Sequence, residues 1–106
     1  RMALVNNFNV NKDFEVPSPP NDGISWLTWS PKALHLAASS WDNQVRVWDV
    51  QMQSLTTLRV NPAAAASGEA PLLTCCWSGD GRTVFFGGCD GKVRAWPVGQ
   101  QASVIG

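Results

Sequence analysis

The chain has 106 residues, 44% apolar and 15% charged, and its eight basic and eight acidic side chains cancel. That is enough for one small domain of ordinary globular balance. It lacks the basic excess that marks a phosphate-binding domain, and no run approaches the ~18 apolar residues of a membrane span.

In chain order, residues 1–23 read as an N-terminal arm. Met2–Val5 is a short apolar run without the length of a signal-peptide core, so the chain reads as intracellular. Asn9–Val16 has the pattern of a strand that would complete another sheet. Val16–Asp22, VPSPPND, carries three prolines and predicts an extended connector. Ile24–Trp29 is a short apolar strand, ended by the polar break SPKA. A second strand is expected over Leu34–Ser39, then a turn at Trp41-Asp42-Asn43. The third strand, Gln44–Asp49, alternates Val45 and Val47 with Arg46 and Trp48. A fourth is expected over Ser54–Val60.

Asn61–Pro71, NPAAAASGEAP, reads as a low-complexity exposed loop, because Pro62, Pro71 and Gly68 argue against a helix despite the alanines. A docking loop is the alternative. Beyond it the pattern returns. Leu72–Trp77 is apolar, SGDG breaks it, and Thr83–Gly87 is a second strand. Cys89-Asp90-Gly91 makes a hairpin turn in which glycine accepts positive φ. Lys92–Val98 is a third strand and Ala102–Ile105 a weaker fourth. The organisation is therefore an arm (1–23), a first unit (24–60), a loop (61–71) and a second unit (72–106).

The two units are copies. Ile24–Val50 aligns with Leu72–Val98 without a gap at an offset of 48 residues. The identities are Trp29/Trp77, Ser30/Ser78, Asp42/Asp90, Val45/Val93, Arg46/Arg94, Trp48/Trp96 and Val50/Val98. Four short antiparallel strands at such a period are the signature of a β-propeller blade. Val-Arg-Val-Trp-Asp-Val at 45–50, with its preceding turn aspartate, resembles the WD-repeat family. The second copy ends Ala95-Trp96-Pro97, so proline replaces the aspartate of the WD pair. Both copies lack the family's opening Gly-His pair. The expected fold is thus all-β, with two blades of a WD-repeat propeller. Asp42 and Asp90 would hold the turns, and Trp48 and Trp96 would pack between blades. Two blades cannot close a ring, and each would leave an apolar face open. The chain reads as a fragment or as part of a split propeller, marginal alone, whose missing blades come from a longer chain or another subunit.

Asn11–Val16 (NKDFEV), Pro19–Ser25 (PPNDGIS), Ser39–Arg46 (SSWDNQVR) and Phe85–Asp90 (FFGGCD) narrow the resemblance. Together they are similar to the nuclear messenger-RNA export WD-repeat factors of the nuclear pore, relatives of the Bub-three checkpoint propeller. The resemblance implies a seven-bladed ring and a non-catalytic adaptor. It implies docking at the pore through a peptide of a Gly-Leu-Phe-Gly nucleoporin, with single-stranded RNA and the mitotic spindle as further links. It places the protein at the nucleus and nuclear envelope, and also in the cytoplasm. A kinetochore checkpoint adaptor of the same architecture is the alternative. A generic WD-repeat substrate receptor for a ubiquitin ligase is another.

Candidate chemistry follows the same lines. His35 has no Ser or Cys partner in a nucleophile motif and sits in a strand, which reads as structural. Asp42, Asp80 and Asp90 lie in turns beside Asn or Gly and lack the carboxylate density of a calcium loop. No enzyme, metal, cofactor or small-molecule substrate is expected, and no membrane insertion. Cys75 and Cys76 point to opposite faces of a strand; with Cys89 they read as small buried thiols. Trp41, in an exposed turn, is the candidate anchor for a peptide or a base, with packing on a neighbouring blade as the alternative. Asn43, Cys89 and Lys92 would share its rim. Arg46 and Arg94 either lay their stems along the blade and reach water or an acid, or contact an acidic peptide or RNA. The tryptophans Trp26, Trp29, Trp48, Trp77 and Trp96 are expected mostly between blades.

Overall fold

The computed structural model describes residues 16–52 and 58–105. The strand expected over Asn9–Val16 and the start of that over Ser54–Val60 fall mostly outside them. Among these residues eight strands form two antiparallel sheets. β1 (Ile24–Trp29), β2 (His35–Ser40), β3 (Gln44–Met52) and β4 (Leu58–Ser67) pair in that order. So do β5 (Leu72–Trp77), β6 (Thr83–Gly88), β7 (Val93–Pro97) and β8 (Ser103–Val104). These are two four-stranded blades, each a chain-order meander.

The 48-residue offset recurs in detail. The pairing slips between Ile24 and Trp26 in one blade and between Leu72 and Thr74 in the other, a bulge that twists each first strand at the same point. The N–H of Ser30 donates to the His35 carbonyl at 2.8 Å, and Ser78 to Thr83 at 2.8 Å. In the turns, Asp42 accepts from the Gln44 N–H at 3.0 Å and Asp90 from Lys92 at 3.1 Å. The residue after each aspartate is left-handed, Asn43 at φ 75° and Gly91 at φ 74°. Asparagine and glycine are the residues that tolerate this region at least cost.

The alanine-rich segment is not a loop. β4 runs through it to Ser67 and pairs along β3 from Gln44↔Ser67 to Met52↔Leu58. Pro62 opposes Trp48, while Ala64 opposes Val47, so Ala63 is the extra residue of a bulge. Pro62 is accommodated because β4 is the outer strand of its sheet and the bulge breaks the ladder there. Poor strand propensity is overruled because β3 is nine residues long and its backbone groups need partners. Only Gly68–Pro71 remains to connect the blades.

The core lies between the blades. Ala37, Val45 and Val47 of the first meet Leu72, Cys75, Val84, Phe86 and Trp96 of the second, and β5 lies against β1 and β2. Each of the larger side chains contributes roughly 1.5–3 kcal/mol by leaving water. Two hydrogen bonds cross the same seam. The Trp77 indole N–H donates to the Thr28 carbonyl at 3.1 Å, and the Cys75 thiol faces the Trp26 carbonyl at 4.0 Å. It is therefore the main chain of β1, not its indoles, that meets the second blade. Trp26 and Trp29 are each 54% exposed, against the expectation that they pack between blades. The cysteines are also not uniformly buried: Cys75 is, whereas Cys76 and Cys89 are exposed.

Trp48 and Trp96 occupy one repeat position with different partners. Both are 1% exposed. Trp96 lies in the seam, as expected. Trp48 falls outside that cluster, on the other side of β3 from Val45 and Val47 by strand alternation. Its indole N–H donates to the Pro17 carbonyl of the connector at 2.6 Å. That of Trp96 donates to Gln100 of its own blade at 3.0 Å. The Asp49/Pro97 difference explains this. Asp49 lets β3 continue to Met52, whereas β7 ends at Pro97, and the chain turns through Gly99 (φ 90°) to bring Gln100 back over the indole.

Candidate binding rim

The β2–β3 and β6–β7 turns share one end of the blades with two incoming segments, Asn21–Gly23 and Gly68–Pro71. Trp41 N–H donates to the Gly23 carbonyl at 3.0 Å, and its counterpart Cys89 to Pro71 at 2.9 Å. The Gly68 N–H reaches back to the Asn43 carbonyl at 2.7 Å. Glu69 then faces Arg94 at 3.5 Å and Lys92 at 3.8 Å. Through these bonds the structure joins Trp41, Asn43, Cys89 and Lys92 into one continuous rim.

Asp42 is the hub of the first blade's part. Besides the Gln44 N–H it accepts from the Asn21 N–H at 3.0 Å and pairs with Arg46 at 2.7 Å. Burial pushes its carboxyl up, but the Arg46 guanidinium and the N–H groups of Asn21 and Gln44 outweigh that and hold it down at about 2. Ser40 completes the knot: its hydroxyl donates to the Gly23 carbonyl at 2.9 Å and accepts from the Asp42 N–H at 3.2 Å. The connector, the turn and β3 are thus tied without the missing Gly-His pair.

The second blade repeats this with fewer ties. The Lys92 N–H holds the Asp90 carboxyl below its ordinary range, and Arg94, at 3.4 Å, adds to that. Ser40 becomes Gly88, where a Cβ would stand 3.0 Å from the Pro71 carbonyl oxygen; the tighter approach leaves no room for a serine knot. Both arginine side chains are largely buried, at 12% and 7% exposed. Each ends on an acid, the first of the two readings open for them from sequence. Arg46 Nη1 is buried without a hydrogen-bond partner among the described residues.

Trp41 is 54% exposed. Its ring lies over Gly23, where a Cβ would sit 3.4 Å from the indole. Its main chain is pinned and its outer face is open. His35 lies at the far end of β2. It stacks on Trp77 with ring centroids 6.3 Å apart, and its Nε2 is 3.6 Å from Asp49, so it belongs to the seam. A pocket of about 230 Å³ opens elsewhere on the first blade, between Ser18, Arg46, Trp48 and Pro62–Ala65. Its walls are mainly apolar, and its arginine is already engaged by Asp42.

The model of the WD domain, G-beta repeat, matches residues 14–49 and 55–97. The chain belongs to that family. It is also similar to three relatives with export-related names. It is 47% identical over 92 residues to Protein RAE1 of Arabidopsis thaliana, covering 87% of this chain and 26% of the relative. It is 41% identical over 105 residues to the mRNA export factor of Xenopus tropicalis, covering 96% and 27%. It is 41% identical over 93 residues to Protein Rae1 of Drosophila melanogaster, covering 85% and 26%. The resemblance to the mRNA export WD-repeat proteins holds in these comparisons. The chain spans about a quarter of the length of the curated relatives it matches.

The turn residues were legible in the sequence, whereas Asn21, Ser40 and Glu69 were not among the candidates it offered. The offset of 48 carried the signal. It aligns Asn21 with Glu69 and Ser40 with Gly88, just outside or at the unmatched places of the repeat.

Proposed function

We propose that this chain is part of a non-catalytic WD-repeat adaptor of nuclear mRNA export, which docks at the nuclear pore by taking a nucleoporin peptide on its rim. The observation that carries the reading is the 41–47% identity to relatives named Rae1 or mRNA export factor over 85–96% of this chain. The rim supports it physically. Trp41 presents an open indole on a turn fixed by Gly23 and Asp42, and a rigid aromatic on a pinned backbone is a low-entropy anchor. Asn43, Cys89 and Lys92 extend the same surface toward the second blade. Residence at the nuclear envelope follows from such docking, and single-stranded RNA is a second partner in this reading.

The test is binding of the chain to a purified, immobilised nucleoporin segment rich in Gly-Leu-Phe-Gly. The expected result is saturable binding that weakens about tenfold or more in Trp41→Ala. Unchanged binding by Trp41→Ala would overturn the assignment of the rim. No binding to the nucleoporin, with binding to a kinetochore kinase segment instead, would replace the export reading by the checkpoint one.

A further inference from the structure

The charges of the rim say what kind of side chain its indole receives. Arg46 is spent on Asp42 at 2.7 Å, and Arg94 is held between Asp90 at 3.4 Å and Glu69 at 3.5 Å. Lys92 faces the same Glu69 at 3.8 Å. Among the described residues of the rim, three cations (Arg46, Lys92, Arg94) stand against four carboxylates (Asp22, Asp42, Glu69, Asp90). The carboxylate without a cationic partner in these pairings is Asp22, and it is the one beside Trp41. Its Oδ1 accepts from the Gly23 N–H at 2.7 Å, while the Trp41 ring borders the space a Cβ on the same glycine would fill, at 3.4 Å. The carboxylate and the indole thus flank the same glycine.

An exposed indole with a carboxylate flanking the same glycine suits a cation. The ring quadrupole attracts positive charge over its face, and the acid adds a partner at the edge. A phosphodiester meets the opposite: among the described residues of the rim each cation faces a carboxylate, and the net charge is negative. We propose that the Trp41 turn is a seat for a lysine or arginine side chain of an extended partner peptide. This rests on the reading of the rim as a peptide-binding surface and adds the chemistry of the residue it takes.

The probes are two amidated octapeptides, Gly-Leu-Phe-Gly-Lys-Ser-Gly-Ser and the same with norleucine for lysine, and decauridylate. The signal is the Trp41 indole N–H resonance of the whole chain, assigned by its loss in Trp41→Phe. The expected result is that the lysine peptide shifts this resonance and binds roughly fivefold more tightly than the norleucine peptide. Asp22→Asn, which keeps the acceptor for the Gly23 N–H, should remove most of that difference, as should added salt. Decauridylate should leave the resonance in place. Equal binding of the two peptides, both shifting Trp41, would overturn the cation seat and leave the peptide rim standing. A Trp41 resonance that neither peptide shifts would overturn both. A decauridylate shift stronger than that of the lysine peptide would overturn the seat in favour of RNA.

Discussion

Replacing Asp42 by asparagine separates charge from shape at the hub of the rim. The amide can still accept from the Gln44 N–H but cannot neutralise Arg46, whose side chain is only 12% exposed. A carboxyl lowered from 3.8 to about 2 corresponds to about 2.4 kcal/mol of folding free energy at neutral pH, or about 2 kcal/mol once screening at a surface turn is allowed for. The loss of one charge-assisted hydrogen bond gives a similar figure, roughly 1.5–3 kcal/mol. The sign follows from the direction of the shift. The folded carboxyl is the stronger acid, so its contribution is full above about pH 4 and lost as pH falls toward 2. By pH 2 only about 0.4 kcal/mol remains. Urea unfolding of the parent chain and Asp42→Asn, each at pH 6 and pH 2, measures this. The variant should be less stable by about 2 kcal/mol at pH 6 and nearly equal to the parent at pH 2. A difference that persists at pH 2 would mean that shape, not charge, holds the turn. No difference at pH 6 would refute the hub altogether.

Glycine positions offer a graded test by thermal or urea unfolding. At Gly81 (φ 72°) a Cβ would stand 2.8 Å from Ser30 Oγ and 2.9 Å from Lys32 Cβ on the facing blade, so Gly81→Ala should cost about 2 kcal/mol or more through strain and displacement together. Gly91→Ala has the strain without the neighbours and should cost about 1 kcal/mol, while Gly91→Asn should cost less, since Asn43 holds the same conformation in the other blade. Trp77→Phe removes the indole donor to the Thr28 carbonyl and should cost about 1 kcal/mol or more, read as a lower urea midpoint; an unchanged midpoint would remove that bond from the seam. Ellman's reagent should label Cys76 and Cys89 promptly. Burial pushes the Cys75 thiol up, so it should react only after unfolding, and three fast thiols in the folded chain would contradict the packing of the seam.

The repeat is legible from the residues alone. Alternation and turn residues are local properties: Val45/Val47 against Arg46/Trp48 fixes a strand face, and Asp42-Asn43 and Asp90-Gly91 fix turns, whatever surrounds them. An offset of 48 then yields two blades of the same kind, and among the described residues seven of the eight strands lie within a few residues of where the pattern puts them, β4 being the exception. Tertiary structure decided what depends on a partner. Asn61–Ser67 is a strand because β3 presents unpaired backbone along it, a demand that no property of alanine reveals. Trp26 and Trp29 are open and Trp77 is bonded, because β5 meets the main chain of β1 and strand alternation alone does not say which surface is covered. The pairing of each arginine with the aspartate four residues before it was present in the sequence as spacing, but only the tight turn brings the two side chains together. It thereby leaves Asp22, beside Trp41, as the carboxylate of the rim that no cation among the described residues answers.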